Sequence, residues 1–197
     1  MLDPRFVYVA AIINLVGLGA YALDTLRGHT KPNRVTWLLW TIAPLIAFFA
    51  QISEGVGIGA VLTLAIGLGP LLILLASFVN KSAYWKITKF DIACGSVSLL
   101  ALLLWVVTGT GMIAIVLAIV ADFMAGVPTI RKAYSHPETE SSNAFLAGII
   151  AAIITIFSLG SITFASLAFP LYLLLNGILL YVIIRFPKLR PGKHQVH

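Results

Sequence analysis

One carboxyl group stands alone in a long apolar stretch: Asp122, in AIVADFMAGVPTI, has no other charge for several residues on either side. Placing a carboxylate at membrane depth costs at least ~2.5 kcal/mol, so it must face a partner, a cavity or water. Two readings follow. It can be a proton-coupling or solute-binding group whose acidity is tuned by desolvation, or a protonated clamp bonded to a neighbouring helix. Asp122, Gly126 and Thr129 recur at i, i+4 and i+7, so one helix face carries the carboxyl, a small residue and a hydroxyl. Asn176, in LLLNGILLY, offers an amide that donates and accepts at once; it suits a hydroxylated or carboxylated solute, and equally an interhelical hydrogen bond. Tyr172 lies one turn earlier on the same face. A further polar stripe joins Asn14, Gly17, Tyr21 and Asp24, and Trp40 lies where its ring could stack on a flat solute. Trp37 reads as a headgroup anchor, as do Tyr84 and Trp85. Asp24, three residues before Arg27, reads as half of a surface pair.

The elements that must position these side chains are membrane helices. Of the 197 residues 60% are hydrophobic and 10% charged, and mean hydropathy is +1.02. That leaves too little charge to cover a water-soluble domain. Long continuous apolar segments, not short alternating ones, predict an all-α membrane protein. Seven spans are expected, at 6–23, 35–51, 58–79, 91–108, 112–130, 143–160 and 165–184, with tight links at Gly109–Gly111 and near Gly160–Ser161. They fill one transmembrane domain and are followed by a basic tail, 185–197.

Charge sets the expected orientation. Twelve of the thirteen Lys and Arg residues fall in the connections after spans one, three, five and seven, and only Arg5 falls on the other side. Basic residues collect in cytoplasmic loops, so the N-terminus is expected outside and the C-terminus inside, in a plasma or bacterial inner membrane. The start, MLDPRF, is barely basic and no cleavage site follows the first apolar run, so no cleavable signal is expected. The single cysteine, Cys94, permits no intrachain disulfide.

A weak internal repeat accompanies this layout. YALDTLRGHTKP (21–32) parallels GVPTIRKAYSHP (126–137), and GPLLILLAS around Pro70 parallels FPLYLLLNG around Pro170. Spans one to three (6–79) thus resemble spans five to seven (112–184), and span four (91–108) is an odd connector. One connecting span keeps the two triplets in the same orientation, a parallel 3+1+3 repeat. Pro44, Pro70, Pro128 and Pro170 lie within spans and are candidate hinges, because each frees a backbone carbonyl and allows a bend.

Other function classes are disfavoured. The basic residues sit in short loops and form no patch for nucleic acid. His29 and His136 lie in loops without metal-ligand spacing to carboxylates, so no metal, cofactor or enzymatic chemistry is expected. The Gly55, Gly57 and Gly59 run leads into a span and has no strand before it, so it is no phosphate loop.

Pro128–Thr129, the basic pair Arg131–Lys132 and the following HPETESSNAF resemble the signature of the SWEET and PQ-loop superfamily of small seven-helix transporters. Thr129 stands where that family has glutamine, Leu23–Asp24 stands in the first repeat where the dipeptide would fall, and Ala76 stands where a second asparagine would mirror Asn176. The resemblance implies a facilitator or proton-coupled carrier of a small polar solute such as a sugar or amino acid, with Asn176 in the solute site and Asp122 in the helix that carries the coupling carboxylate. The expected cavity is lined by Asp122, Asn176, Tyr172, Tyr21, Asn14 and Trp40. The rival expectation is a non-transporting heptahelical receptor or assembly subunit of the same fold. Beyond lipid, solute and protons no partner is expected, and the oligomeric state stays open, a homo-oligomer included.

Overall fold

The computed structural model describes residues 2–53, 57–108 and 112–187. The expected link at 109–111, Gly55 and the tail residues Lys188, Arg190 and Lys193 lie outside the described residues, as do the side chains at Gly57 and Gly59.

Seven α-helices account for the described chain: α1 (Phe6–Leu26), α2 (Arg34–Ser53), α3 (Gly57–Val79), α4 (Lys89–Thr108), α5 (Met112–Ser135), α6 (Ser142–Phe157) and α7 (Phe164–Arg185). No strand occurs among the described residues. Each helix coincides with one of the seven apolar segments. The largest departure is at the end of α5, which runs five residues past Ile130 and so takes Arg131 and Lys132 into its last turns. Among the described residues, three helical stretches are long and apolar enough to cross a membrane, Phe6–Leu26, Lys89–Val107 and Ser166–Arg185; Arg34–Phe49, Ile66–Val79 and Ser142–Phe157 are shorter apolar helices.

The helix ends are fixed by local chemistry. Gly28, at φ +80°, closes α1 in the left-handed conformation that glycine adopts without strain. Asn33 opens α2, its Oδ1 accepting from the backbone N–H of Val35 at 3.0 Å. Thr88 and Asp91 bond each other's backbone at the start of α4. Thr163 and Ser166 form a capping box at the start of α7. Pro44, Pro70, Pro128 and Pro170 all sit inside helices, which continue through them.

Among the described residues six helices form a closed ring of contacts, and α4 lies against it. Helix α3 lies between α1 and α2, and α7 lies between α5 and α6. Across the bundle α1 packs on α6 and α2 on α5, while α4 rests on α5 and α2. Small residues let the crossings close. A Cβ added at Gly17 of α1 would fall 2.4 Å from the Ala147 Cβ of α6, so the two backbones touch. The polarity is inverted relative to a water-soluble bundle. Thr25, Asn33, Thr36, Ser77, Thr129 and Lys132 are buried, while Ile12, Val16, Leu75, Leu100, Leu103 and Leu175 are exposed. Such an exterior suits contact with lipid, which carries no penalty for exposed apolar side chains.

Candidate functional site

Halfway along α5, Asp122 meets α7. The Tyr172 hydroxyl donates to Asp122 Oδ2 at 2.7 Å. From α2, the Trp40 indole N–H donates to the Asp122 carbonyl at 3.2 Å. One turn on, Gly126 leaves room for the neighbouring side chains: a Cβ there would lie 3.1 Å from the Trp40 ring and 3.9 Å from Asn176 Nδ2. Thus Asp122 and Gly126 on α5 face Tyr172 and Asn176 on α7, each pair at i, i+4, with Trp40 closing the third side. Asn176 is buried, and its Oδ1 has no hydrogen-bond partner among the described residues. The i, i+4 spacing puts Asp122 and Gly126 on one face of α5 and Tyr172 and Asn176 on one face of α7, and those faces meet.

A cavity of about 170 Å3 adjoins this cluster, lined by Phe123, Tyr172, Leu175, Asn176 and Leu179. A larger groove of about 510 Å3 runs on beside α7, past Leu175, Leu171, Leu167, Phe164 and Ile162. Tyr172 borders both. The depression is mostly apolar, with Tyr172 and Asn176 toward one end and Thr163 at the other.

Tyr21 belongs elsewhere. Its hydroxyl donates to Glu140 Oε2 at 2.5 Å, and Glu140 Oε1 pairs with Lys132 Nζ at 2.7 Å. The Lys132 side chain is 1% exposed and that of Glu140 0%, so neither charge touches solvent. Lys132 also donates to the Lys31 carbonyl, and its ammonium lies 5.1 Å from the Trp85 ring centre. Nearby, the Lys31 N–H donates to the Thr139 carbonyl at 2.9 Å, and Thr129 bonds Thr36 at 3.0 Å. The Asn80 amide caps the Leu26 carbonyl at 2.8 Å, and Trp85 lies edge-on to His136 with ring centres 5.1 Å apart. The α1–α2, α3–α4 and α5–α6 connections therefore converge on one end of the bundle, the end rich in Lys and Arg. Most of these bonds join the first triplet to the second.

Aromatic rings link the two clusters. Tyr21 and Trp37 lie 5.0 Å apart and Trp37 and Trp40 5.2 Å apart. Trp37, expected as a headgroup anchor, is instead 1% exposed and packed in the core with Tyr21 and Ile73. Trp40 also packs on the second triplet's core, Ala133, Phe145, Leu180 and Ile184. Asn14 joins neither cluster: its Oδ1 faces Gly148 of α6, 3.8 Å from where a Cβ would stand. Of the six expected lining residues, then, Asp122, Tyr172, Asn176 and Trp40 come together, Tyr21 goes to the basic end, and Asn14 to the α1–α6 crossing.

Lys132 and Glu140 were invisible as a pair in the sequence, where both read as loop charges. The extra helical turn beyond Ile130 carries Lys132 inward. The short 3-10 turn at Pro137–Thr139 then brings Glu140 back beneath it. The one available signal was the eight-residue spacing across a His-Pro turn. Among the described residues no group of three His, Cys, Asp or Glu side chains could hold a metal. No family model matches the chain, and no curated protein or solved structure matches it either.

Proposed function

We propose that the chain is a multi-pass membrane carrier, seven helices in a parallel 3+1+3 repeat, in which Asp122 and Asn176 of the second triplet, with Trp40 of the first, form the solute site. The observation that carries this reading is the Asp122–Tyr172 contact at 2.7 Å. A buried structural carboxylate is normally matched by a cation or by several donors. Asp122 instead meets neutral donors only, the Tyr172 hydroxyl and the Trp40 indole N–H, beside an amide oxygen without a partner among the described residues. Such a group is free to exchange a proton or a solute donor.

The packing supports the repeat. Helix α3 stands to α1 and α2 as α7 stands to α5 and α6, and the cross-contacts α1–α6 and α2–α5 exchange under the same two-fold relation. A pseudo-axis along the membrane normal would run between these four helices. We assign the basic end to the cytoplasm, because Lys and Arg collect there. On that assignment the Lys132–Glu140 pair and its bonds to Tyr21 and Lys31 close the cytoplasmic side, and transport requires them to separate. A receptor reading is less well supported. Capture of an anionic peptide end wants an uncommitted buried cation, and Lys132 is committed to Glu140.

Reconstituted proteoliposomes test the reading. Asp122→Asn should abolish proton-driven accumulation of a carried solute while sparing exchange between equal pools. Accumulation unaffected by that change would remove Asp122 from the mechanism.

A further inference from the structure

The connection between α3 and α4 is pinned to the last turns of α5 at two points. The Trp85 ring lies 5.1 Å from the Lys132 ammonium and 5.1 Å from the His136 ring. Farther along, the Arg131 guanidinium lies over the Phe90 ring, 4.5 Å from its centre. Between these pins the chain runs without helix from Tyr84 to Thr88, and exposure alternates along it. Tyr84, Lys86 and Thr88 are exposed, Trp85 and Ile87 half-buried. Lys86 and Lys89 are thereby held on the outside beside Arg131, which is exposed as well. We propose that Lys86, Lys89 and Arg131 form a head-group site for an anionic phospholipid, whose chains lie along the apolar face of α4. The site rests on the membrane placement of the chain and not on transport.

Charge argues for an anion. Among the described residues the ion pairs join Arg5 to Asp3, His29 to Asp24 and Lys132 to Glu140, so none involves these three cations. Asp91, the nearest acid in the sequence, is buried and accepts from the Thr88 backbone N–H at 2.7 Å. Its carboxyl is spent on the start of α4. Glu138, on the turn beyond α5, leaves one exposed acid against three exposed cations. A guanidinium stacked on a ring keeps its N–H edge for a phosphate, and each lysine adds a point charge.

The apolar surface that begins at the same place argues for a lipid. Phe90 is exposed, and Ile92, Leu99 and Leu103 continue an exposed strip along one face of α4, at i, i+7 and i+11. A free anion would use the cations and leave that strip bare, and so would an acidic protein segment arriving from the water side. A phospholipid engages both, head on the cations and chains on the strip. Tyr84 and Trp85 suit the same depth, because aromatic rings collect at the head-group level. Arg131 and Lys132 are neighbours on α5, so the site abuts the Lys132–Glu140 pair.

Native mass spectrometry of the full chain released from detergent micelles tests this, with phosphatidylglycerol, phosphatidylcholine, glycerophosphate and an oligoglutamate peptide as probes. Wild-type protein should hold phosphatidylglycerol in roughly tenfold or greater preference to phosphatidylcholine, and should bind neither water-soluble probe. Lys86→Gln, Lys89→Gln and Arg131→Gln should each weaken the phosphatidylglycerol complex roughly fivefold, and the triple variant roughly a hundredfold. The triple variant Arg5→Gln/Arg27→Gln/Arg185→Gln removes as much exposed charge elsewhere and should leave the complex unchanged. Thermal unfolding in the same micelles verifies the fold, and the single changes at Lys86 and Lys89 carry the test if the triple variant fails to fold. The proposal is overturned if phosphatidylcholine binds as tightly as phosphatidylglycerol, or if the site variants keep the lipid. It is overturned equally if the control variant loses it, or if glycerophosphate or oligoglutamate binds as tightly as the lipid does.

Discussion

Glu140 and Asp122 are both held between helices, and their surroundings differ in kind. Glu140 is saturated in charge: Lys132 pairs ionically with one oxygen at 2.7 Å, Tyr21 donates to the other at 2.5 Å, and the pair is shut away from solvent. Asp122 has no cation, only the Tyr172 hydroxyl at 2.7 Å and the Trp40 indole N–H, with an amide whose oxygen is unmatched among the described residues nearby. A saturated group resists change, because any movement strands a buried charge. An unsaturated one has capacity left for something that arrives. The same residue chemistry thus serves closure at one end and binding in the middle.

Removing either half of the saturated pair should have the largest effect. Lys132→Met or Glu140→Gln leaves one buried group uncompensated and should lower stability by about 3–5 kcal/mol, read from unfolding in detergent micelles. The double variant, in which neither charge remains, should recover most of that loss. Additive losses would mean that the two groups do not act on each other, and the contrast with Asp122 would fall. Tyr21→Phe should come next, at about 1.5–3 kcal/mol, because it withdraws a donor from a charged acceptor. Thr129→Val should cost about 1 kcal/mol, since the Thr36 hydroxyl loses a neutral partner. Asp122→Asn should change stability least, by under about 1 kcal/mol, while its effect on solute binding and accumulation is large. A stability loss at Asp122 as great as that at Glu140 would make the mid-bundle carboxyl a brace, not a site.

Much of this was legible in the sequence. Continuous apolar runs placed the seven helices with every end within five residues, because the run itself sets the length of such a helix. The i, i+4 spacing of Asp122 and Gly126, and of Tyr172 and Asn176, placed each pair on one helix face, and those faces meet in the bundle. Tyr21 shows where such reasoning ends. It shares a helix face with Asn14, yet seven residues carry it about 10 Å along the axis, to a different set of partners. Trp37 misled for a related reason: closeness to the helix start suggested the headgroup level, but converging connections cover that end and enclose the ring. The Lys132–Glu140 pair depends on how a helix ends and a turn returns. Residue spacing alone does not encode either event.

The most direct test of the account asks whether the saturated end opens. Spin labels at Arg27 and Glu138, both exposed and on opposite triplets, would report the separation of the two units at the basic end by pulsed dipolar spectroscopy. A gate at this end gives one short distance in the wild-type protein at rest and a second, longer population in the Lys132→Met/Glu140→Gln double variant. A single unchanged distance in the folded double variant would contradict it, because that end would then be a fixed seam and not a gate.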